Sequence, residues 1–384
     1  MRCAYKYRLY PTKAQAQFLE GQLREACDLY NAALQERRDA WKVCRKSVNY
    51  YDQANQLKTM RGEGLIGLAN FSCCQDVLRR VEKTYKAFFA RVKRGDKPGF
   101  PRFKPWRRYD SLTFPSYGDG CGLLDSGKLR VQGAGHIKVK LHRPVEGEIK
   151  TVTVKRDVNH WYVCFSVERQ HAALPESAEA IGIDVGLDSF AVFSDGTEID
   201  NPRQLKRRLA QLRRCQRRLS RRKRGSQRRR KAAVVLAKAH RKIRNQRAAF
   251  HHNVSRWLVD RYGVIAVENL NVKGLSRGML AQPVNDAGWS FFFQKLSYKA
   301  ECAGRELVKV DPRGTSQTCV CGASVPKTLA DRWHECPACG LSASRDVVSA
   351  QVILQRARIE PSRRNVEVVV SCVPREAVAF QATE

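Results

Sequence analysis

Acidic residues are scarce in this chain, and over one long stretch they are missing altogether. From Asn201 to Val259 there is no Asp or Glu, while 22 residues are Lys or Arg. Across all 384 residues, 71 Lys and Arg stand against 37 Asp and Glu, a formal net charge of +34. Self-repulsion of that size calls for a polyanion on the surface, and nucleic acid fits because each neutralised phosphate releases condensed counterions. Long apolar runs are missing too. Nowhere do about 18 apolar residues follow one another, which excludes a helical membrane span. The start, Met1 to Pro11, alternates polar and apolar residues without an apolar h-region, so no secretory signal and a cytoplasmic location are expected. Nor do the fourteen cysteines make a disulfide scaffold. Ten are scattered without pattern and four cluster, the usage of a reducing compartment with one metal site.

What is present reads as two or three domains. Tyr5, Tyr7 and Leu9 alternate with Lys6 and Arg8, the period-2 pattern of a half-buried strand that Pro11 stops. Thr12 with Gln15 makes a capping box for a helix carrying Phe18, Leu19, Leu23, Ala26, Tyr30, Ala33 and Leu34. Cys74, Val77, Val81, Tyr85, Phe88 and Val92 mark a second amphipathic helix, and both stripes read as the core of a helical module. From Lys97 to Tyr109, basic residues that include Arg102 and Lys104 interleave with aromatics in a Pro/Gly loop, a composition suited to phosphate contact plus base stacking. Residues 111–168 read as strands: Ile137, Val139 and Leu141 alternate with polar neighbours, as do Trp161, Val163, Phe165 and Val167. With the first strand they make a small barrel interrupted by the helical module.

In the acid-free stretch, Leu205, Leu209, Leu212 and Leu219 fall at helical spacing, and so do Leu236, Ala239, Ile243 and Phe250. Gly225 and Ser226 lie between the stripes. The pattern predicts an antiparallel helical hairpin with a thin apolar seam, whose basic face, including Arg221, Arg222, Arg228, Arg229 and Arg230, meets a phosphate backbone. A charge run is ordinarily a solvated face or a disordered tail; the apolar seam argues against disorder here.

Three acids stand out by their order. Asp184 is the one acid carried by the buried strand Ala180 to Gly186, which Phe190 to Phe193 and a turn at Asp195-Gly196 continue into a meander. Glu268 ends the apolar strand Val264–Glu268, and Asp346 opens a helix carrying Val347, Ala350, Ile353, Leu354 and Ala357. Singly, an acid at a strand end is more often a cap or a turn residue. An Asp on a first strand, a Glu on a later parallel strand and an Asp on a final helix is the RNase H-like order, which converges three carboxylates at one sheet edge. Phosphodiester hydrolysis needs such a cluster to hold two hard cations about 4 Å apart, and Mg2+ suits it because it accepts few protein ligands. Cys319-Val320-Cys321 and Cys336-Pro337-Ala338-Cys339, each followed by a glycine, present four thiols for one tetrahedral, structural zinc. His334 is a less favoured substitute ligand.

Together these stretches resemble TnpB, the accessory protein of IS200/IS605-type insertion sequences and a relative of type V CRISPR nucleases. The resemblance is carried by Arg8 to Pro11, Gly99 to Lys104, Gly182 to Gly186, Val267 to Leu270, Asp311-Pro312 through Thr315 to Cys319, Cys336 to Gly340, and Arg345-Asp346. It implies an α/β multidomain protein with a RuvC-like, RNase H-fold nuclease core at 176–314 and 346–360, the basic hairpin 201–259 included. It further implies a zinc-binding, target-loading insertion at 315–345 and a wedge-like barrel at 1–10 and 106–175, with a helical recognition module at 11–105. Residues 361–384 are expected to form a flexible tail. Implied partners are a guide RNA and a double-stranded DNA target, with Asp184, Glu268 and Asp346 both catalytic and magnesium-binding; the oligomeric state is left open, a monomer being favoured. Ser344 and Val348 depart from the family's expected Asp and Asn, and the CxC from its CxxC. A repressor-like guided binder without cleavage and a DNA transposase, or an accessory to one, are the competing readings.

Overall fold

A computed structural model describes residues 2–170, 173–328 and 331–359; the expected tail, 361–384, lies outside them. The described residues divide into two compact units, one up to residue 170 and one from residue 173 to 359.

The first unit is built on β1 (Arg2–Tyr10), whose Tyr5, Tyr7 and Leu9 are buried as the alternation predicts. The capping box is formed: Gln15 N donates to Thr12 Oγ1 and Thr12 N to Gln15 Oε1, opening α1 (Lys13–Cys44). There follow α2 (Tyr50–Gly62) and α3 (Phe71–Lys93), then β2 (Ser111–Phe114), β3 (Cys121–Leu123), β4 (Lys128–Val131), β5 (Gly135–Lys140), β6 (Glu148–Asp157) and β7 (His160–Glu168). Every pair in this seven-stranded sheet is antiparallel, in the order β2-β6-β7-β1-β5-β4-β3. Trp161, Val163, Phe165 and Val167 point inward with Ile137 and Val139. Leu141 falls just beyond β5 and is exposed, because the chain leaves the sheet one residue before it. The apolar faces of α1 and α3 pack on the same core. The α3 stripe, however, runs past that core: Tyr85 and Phe88 are half-buried and Val92 is exposed.

The second unit centres on a five-stranded sheet, β10-β9-β8-β11-β12. Its strands are β8 (Ala180–Asp184), β9 (Ser189–Phe193), β10 (Glu198–Asp200), β11 (Val264–Glu268) and β12 (Glu306–Val310). β8, β11 and β12 run parallel, β9 pairs antiparallel with β8, and β10 antiparallel with β9. Parallel strands buried on both faces read as continuous apolar runs, which is how β8 and β11 look in sequence. Two long helices, α4 (Gln204–Ser220) and α5 (Gln227–Arg261), fill the span between β10 and β11. After β11 come α6 (Val272–Leu275), α7 (Ala281–Ala287) and α8 (Trp289–Ala303); after β12 come the small hairpin of β13 (Trp333–Glu335) and β14 (Ser342–Ser344), then α9 (Arg345–Ile359). Ile181, Ile183, Ile265 and Val267 pack with residues of α5 and α8, whereas Ala266, Val308 and Val310 pack with Ile353 and Ala357 of α9. The approach of α9 is close enough to demand glycine at 182. A Cβ there would stand 2.0 Å from the carbonyl oxygen of Ala350 and 2.9 Å from Leu354 Cβ.

Candidate active site

Strand register decides where the acids meet. Ile183 pairs with Val267 in the parallel ladder, so the next residues, Asp184 and Glu268, end neighbouring strands at the same sheet edge. Asp346 lies in the first turn of α9, which packs across β8 and β11. Burial pushes the Asp184 carboxyl up to about 7, and the charges of Glu268 and Asp346 push in the same direction. Register places Asp184 beside Glu268, Asp184 and Asp346 share one cleft, and the charges of both neighbours act on Asp184 as such an approach requires. Burial likewise raises Glu268, partly offset by the hydroxyl of Thr315, which donates to its Oε1. Arg345 Nε donates to Asp346 Oδ1 at 3.1 Å. Asp184 and Asp346 line a cleft of about 360 Å³ together with Ser316, Gln317, Lys327, Thr328 and Arg345.

Burial and like charge raise Asp184, and burial raises Glu268, so two half-buried carboxyls stand where negative charge is costly. Oxygen ligands and surplus negative charge suit a hard divalent cation, so the residues fit magnesium.

The four thiols are brought together. Cys319, Cys321, Cys336 and Cys339 place their sulfurs within 4.8 Å of one another, with Cys319–Cys339 at 3.6 Å and Cys321–Cys336 at 3.7 Å. A tetrahedron of sulfurs around zinc at about 2.3 Å has edges of about 3.8 Å, so the spacing fits. Gly322 and Gly340 have φ of 89° and 72°, and each donates its N–H to the carbonyl of the first cysteine of its pair. That turn is left-handed, which is why glycine follows both pairs. His334 is outside the group: it is fully buried, and its Nδ1 meets Lys327 Nζ.

The basic residues divide into two kinds. Arg221, Arg228 and Arg230 are exposed on the hairpin of α4 and α5, and Arg222 is half-buried. Arg229 is occupied internally: its Nη1 donates to the carbonyls of Leu219 and Arg222, both at 2.9 Å, tying off the end of α4. Arg228→Gln with Arg230→Gln should therefore flatten the slope of log affinity against log salt by about one per removed phosphate contact. Arg229→Gln should instead lower the melting temperature, since each lost hydrogen bond is worth about 1 kcal/mol. Salt titrations and thermal melts separate the two effects. In the first unit Arg102 is exposed, whereas Lys104 is half-buried with its ammonium 4.5 Å from the Tyr30 ring centre, packed rather than presented.

Sequence reasoning missed several positioning groups. Asp286 of α7 accepts from the backbone N–H of Leu205 and Lys206, at 2.8 and 3.0 Å, and so caps α4 from outside the helix. Arg356 donates to the carbonyls of Asp311 and Arg313, which fixes the loop that carries Thr315. Nothing in the one-dimensional pattern marks Asp286. Thr315 and Arg345 lie inside stretches already singled out, and adjacency to Cys319 and Asp346 was the available signal.

Residues 162–279 match the family model described as "Probable transposase", residues 289–353 that described as "Cas12f1-like, TNB domain", and residues 1–46 a "Helix-turn-helix domain". That last stretch folds here as one strand and one long helix. A Streptomyces pristinaespiralis protein named "Putative RNA-guided DNA endonuclease" is 33% identical over 362 residues, covering 91% of this chain and 88% of the relative. A second relative, from Escherichia coli K12 and carrying the same name with the suffix InsQ, is 27% identical with 91% of each chain covered. The "CRISPR-associated endodeoxyribonuclease Cas12f1" of Sulfoacidibacillus thermotolerans is 30% identical over 72% of this chain and 74% of its own. Among solved structures, the mini-RNA-guided endonuclease CRISPR-Cas_phi3 shares the fold at a TM-score of 0.51 and 8% identity, covering 94% of this chain and 92% of that one.

Proposed function

Because this chain belongs to the TnpB family, we propose that it is an insertion-sequence-encoded, RNA-guided DNA endonuclease whose RuvC-like core hydrolyses phosphodiesters at Asp184, Glu268 and Asp346. The observation that carries the reading is the convergence of three carboxylates at one sheet edge, where burial and then repulsion raise Asp184 to about 7. A guided binder that had lost cleavage would have no need to maintain so costly a cluster. The wedge-like barrel is assigned to residues 1–10 and 106–175, the recognition module to 11–105 and the target-loading insertion to 315–345. Guide RNA and double-stranded target DNA are the partners, with the exposed arginines of the basic hairpin and Arg102 among the phosphate contacts.

Asp184, Glu268 and Asp346 would hold two magnesium ions, which when bound lower the pKa of the attacking water and stabilise the leaving 3′ oxygen. The chain's own contribution is placement. Parallel register sets Asp184 beside Glu268, Thr315 orients the Glu268 carboxylate, and the glycine contact at 182 brings α9 with Asp346 against β8. Sequencing the RNA that copurifies with the protein, then supplying a matched plasmid target with magnesium, tests the function. Absence of a bound element-derived RNA, or of guide-dependent cutting, would refute it.

The raised Asp184 carboxyl also fixes a pH dependence. Its folded value of about 7 exceeds the ordinary 3.8. Stability from the protonated form is therefore present at low pH and lost as pH rises through 7 in cation-free protein. A cation displaces that proton. Added Mg2+ should then raise the melting temperature more at pH 8 than at pH 5.5, and cutting at limiting Mg2+ should climb towards pH 7. Equal magnesium stabilisation at both pH values would contradict the assignment.

A further inference from the structure

The cleft that holds Asp184 and Asp346 is also lined by Lys327, a residue of the cysteine module with no part in the carboxylate cluster or the thiol set. Two cations face this cleft, and they differ. Arg345 is committed, with Nε on Asp346 and Nη1 on the carbonyl of Asp331 at 2.9 Å. Lys327 enters no ion pair among the described residues. Its ammonium meets His334 Nδ1 and lies 3.4 Å from the Ser316 carbonyl, both neutral acceptors. His334 is itself fully buried, so the amine is held from one fixed side on a residue that lines the cleft.

Among the described residues the half-buried ammonium hydrogen-bonds only neutral acceptors. The negative groups that favour its charge, Cys319, Asp331 and Cys336, act on it without a direct ion pair, so part of its lost hydration is unreplaced at close range. Its placement is explained if an anion arrives in the cleft. A cation belongs with the acids opposite rather than beside the ammonium, and a carboxylate ligand is disfavoured by those acids. A phosphodiester fits, because its reactive phosphorus must lie against the carboxylate-held cations while its non-bridging oxygens still need a donor.

We infer that Lys327 is a catalytic residue contacting a non-bridging oxygen of the DNA phosphate being cleaved, delivered to the cleft by the cysteine module. The inference rests on the endonuclease reading above. In hydrolysis the water oxygen bonds to phosphorus and the P–O3′ bond breaks. The electron pair leaves on the 3′ oxygen, which takes up a proton while the water loses one. The non-bridging oxygens carry the phosphate charge throughout, and a fixed ammonium there costs no reorganisation during the step. A compact ammonium makes a point contact to one oxygen, a role that rests on its positive charge.

The test uses the complete protein–RNA complex. Lys327→Gln should slow single-turnover cutting by about 10²-fold, the loss typical of one transition-state donor, with target affinity changed less than about threefold. Zinc content should be unchanged, and Lys327→Arg should recover most of the rate because the charge is kept. Cutting by Lys327→Gln at the parent rate would overturn the inference, as would a fall in zinc content that accounts for the lost rate. A second measurement does not depend on cutting. Acetylation of lysines with and without bound DNA, in Ca2+, should show Lys327 protected by DNA. Protection without any cutting by the parent chain would sink the endonuclease reading and leave the phosphate contact standing; equal labelling with and without DNA would sink the contact alone.

Discussion

Asp184→Ala is expected to reduce DNA cutting by about 10³-fold or more while leaving guide and target binding nearly intact, a loss of about 4 kcal/mol of transition-state stabilisation. The expectation follows from where Asp184 sits. It ends β8 between the meander and β11, next to Glu268 by register and beneath Asp346 of α9. It is half-buried among acids and is not one of the exposed basic residues proposed as phosphate contacts, so its loss should remove chemistry and spare binding. A second readout distinguishes this from ordinary core damage. Asp184 is raised by burial first and by two like charges next, so deleting it relieves repulsion in the cation-free protein. The variant should melt no lower than the parent without Mg2+, and should lose the parent's gain on adding it. Plasmid cutting, electrophoretic binding and melting curves, measured side by side, decide the matter. Undiminished cutting would remove Asp184 from the site.

How much of this was legible beforehand depends on the kind of constraint. β8, β11 and the start of α9 were readable because strands covered on both faces must be apolar throughout, which leaves their terminal acids conspicuous. The thiol group was readable because a metal fixes both residue type and local spacing. The basic hairpin was readable as two thin stripes, and only Leu212 on α4, with Ala232 and Ile243 on its half of α5, is fully buried along the hairpin arms. α2 was not readable: it buries Gln53 and Leu57 alone, too little to make a stripe, and its capping box of Asn49 and Asp52 had no apolar pattern to announce. Residues that act across long sequence distances were equally hidden. Asp286 caps a helix 81 residues earlier, and Lys327 reaches the cleft only after the chain has folded around the thiols. Arginine count gave the polyanion but not the division of labour, since Arg229 and Arg228 are neighbours in sequence and one is spent inside the hairpin.

Zinc removal should silence the enzyme although no cysteine touches the reacting phosphate. The purified chain should carry about one zinc, and Cys336→Ser should lower both metal content and cutting. The link is structural and short. β14, paired with β13 in the cysteine module, ends at Ser344, and the next residue opens α9 with Asp346 one position later. Arg345 reinforces the junction: its backbone N–H donates to the Arg332 carbonyl and its guanidinium spans the Asp331 carbonyl and Asp346. Arg332 in turn pairs with Asp188, in the turn between β8 and β9, at 2.6 Å. The apolar cluster inside the module is small, with Cys319 and Cys336 themselves forming much of it beside Val325. Such a module cannot fold on burial alone, and structural zinc supplies about 10–16 kcal/mol in comparable peptides. Without it the module opens, the start of α9 loses its ties, and a shift of about 1 Å in a catalytic group costs about 10²-fold in rate. Elemental analysis before and after chelation, with magnesium restored before the cutting assay, provides the measurement. Full activity in protein shown to be free of zinc would separate the thiols from the active site and leave the left-handed glycine turns without a ligand to serve.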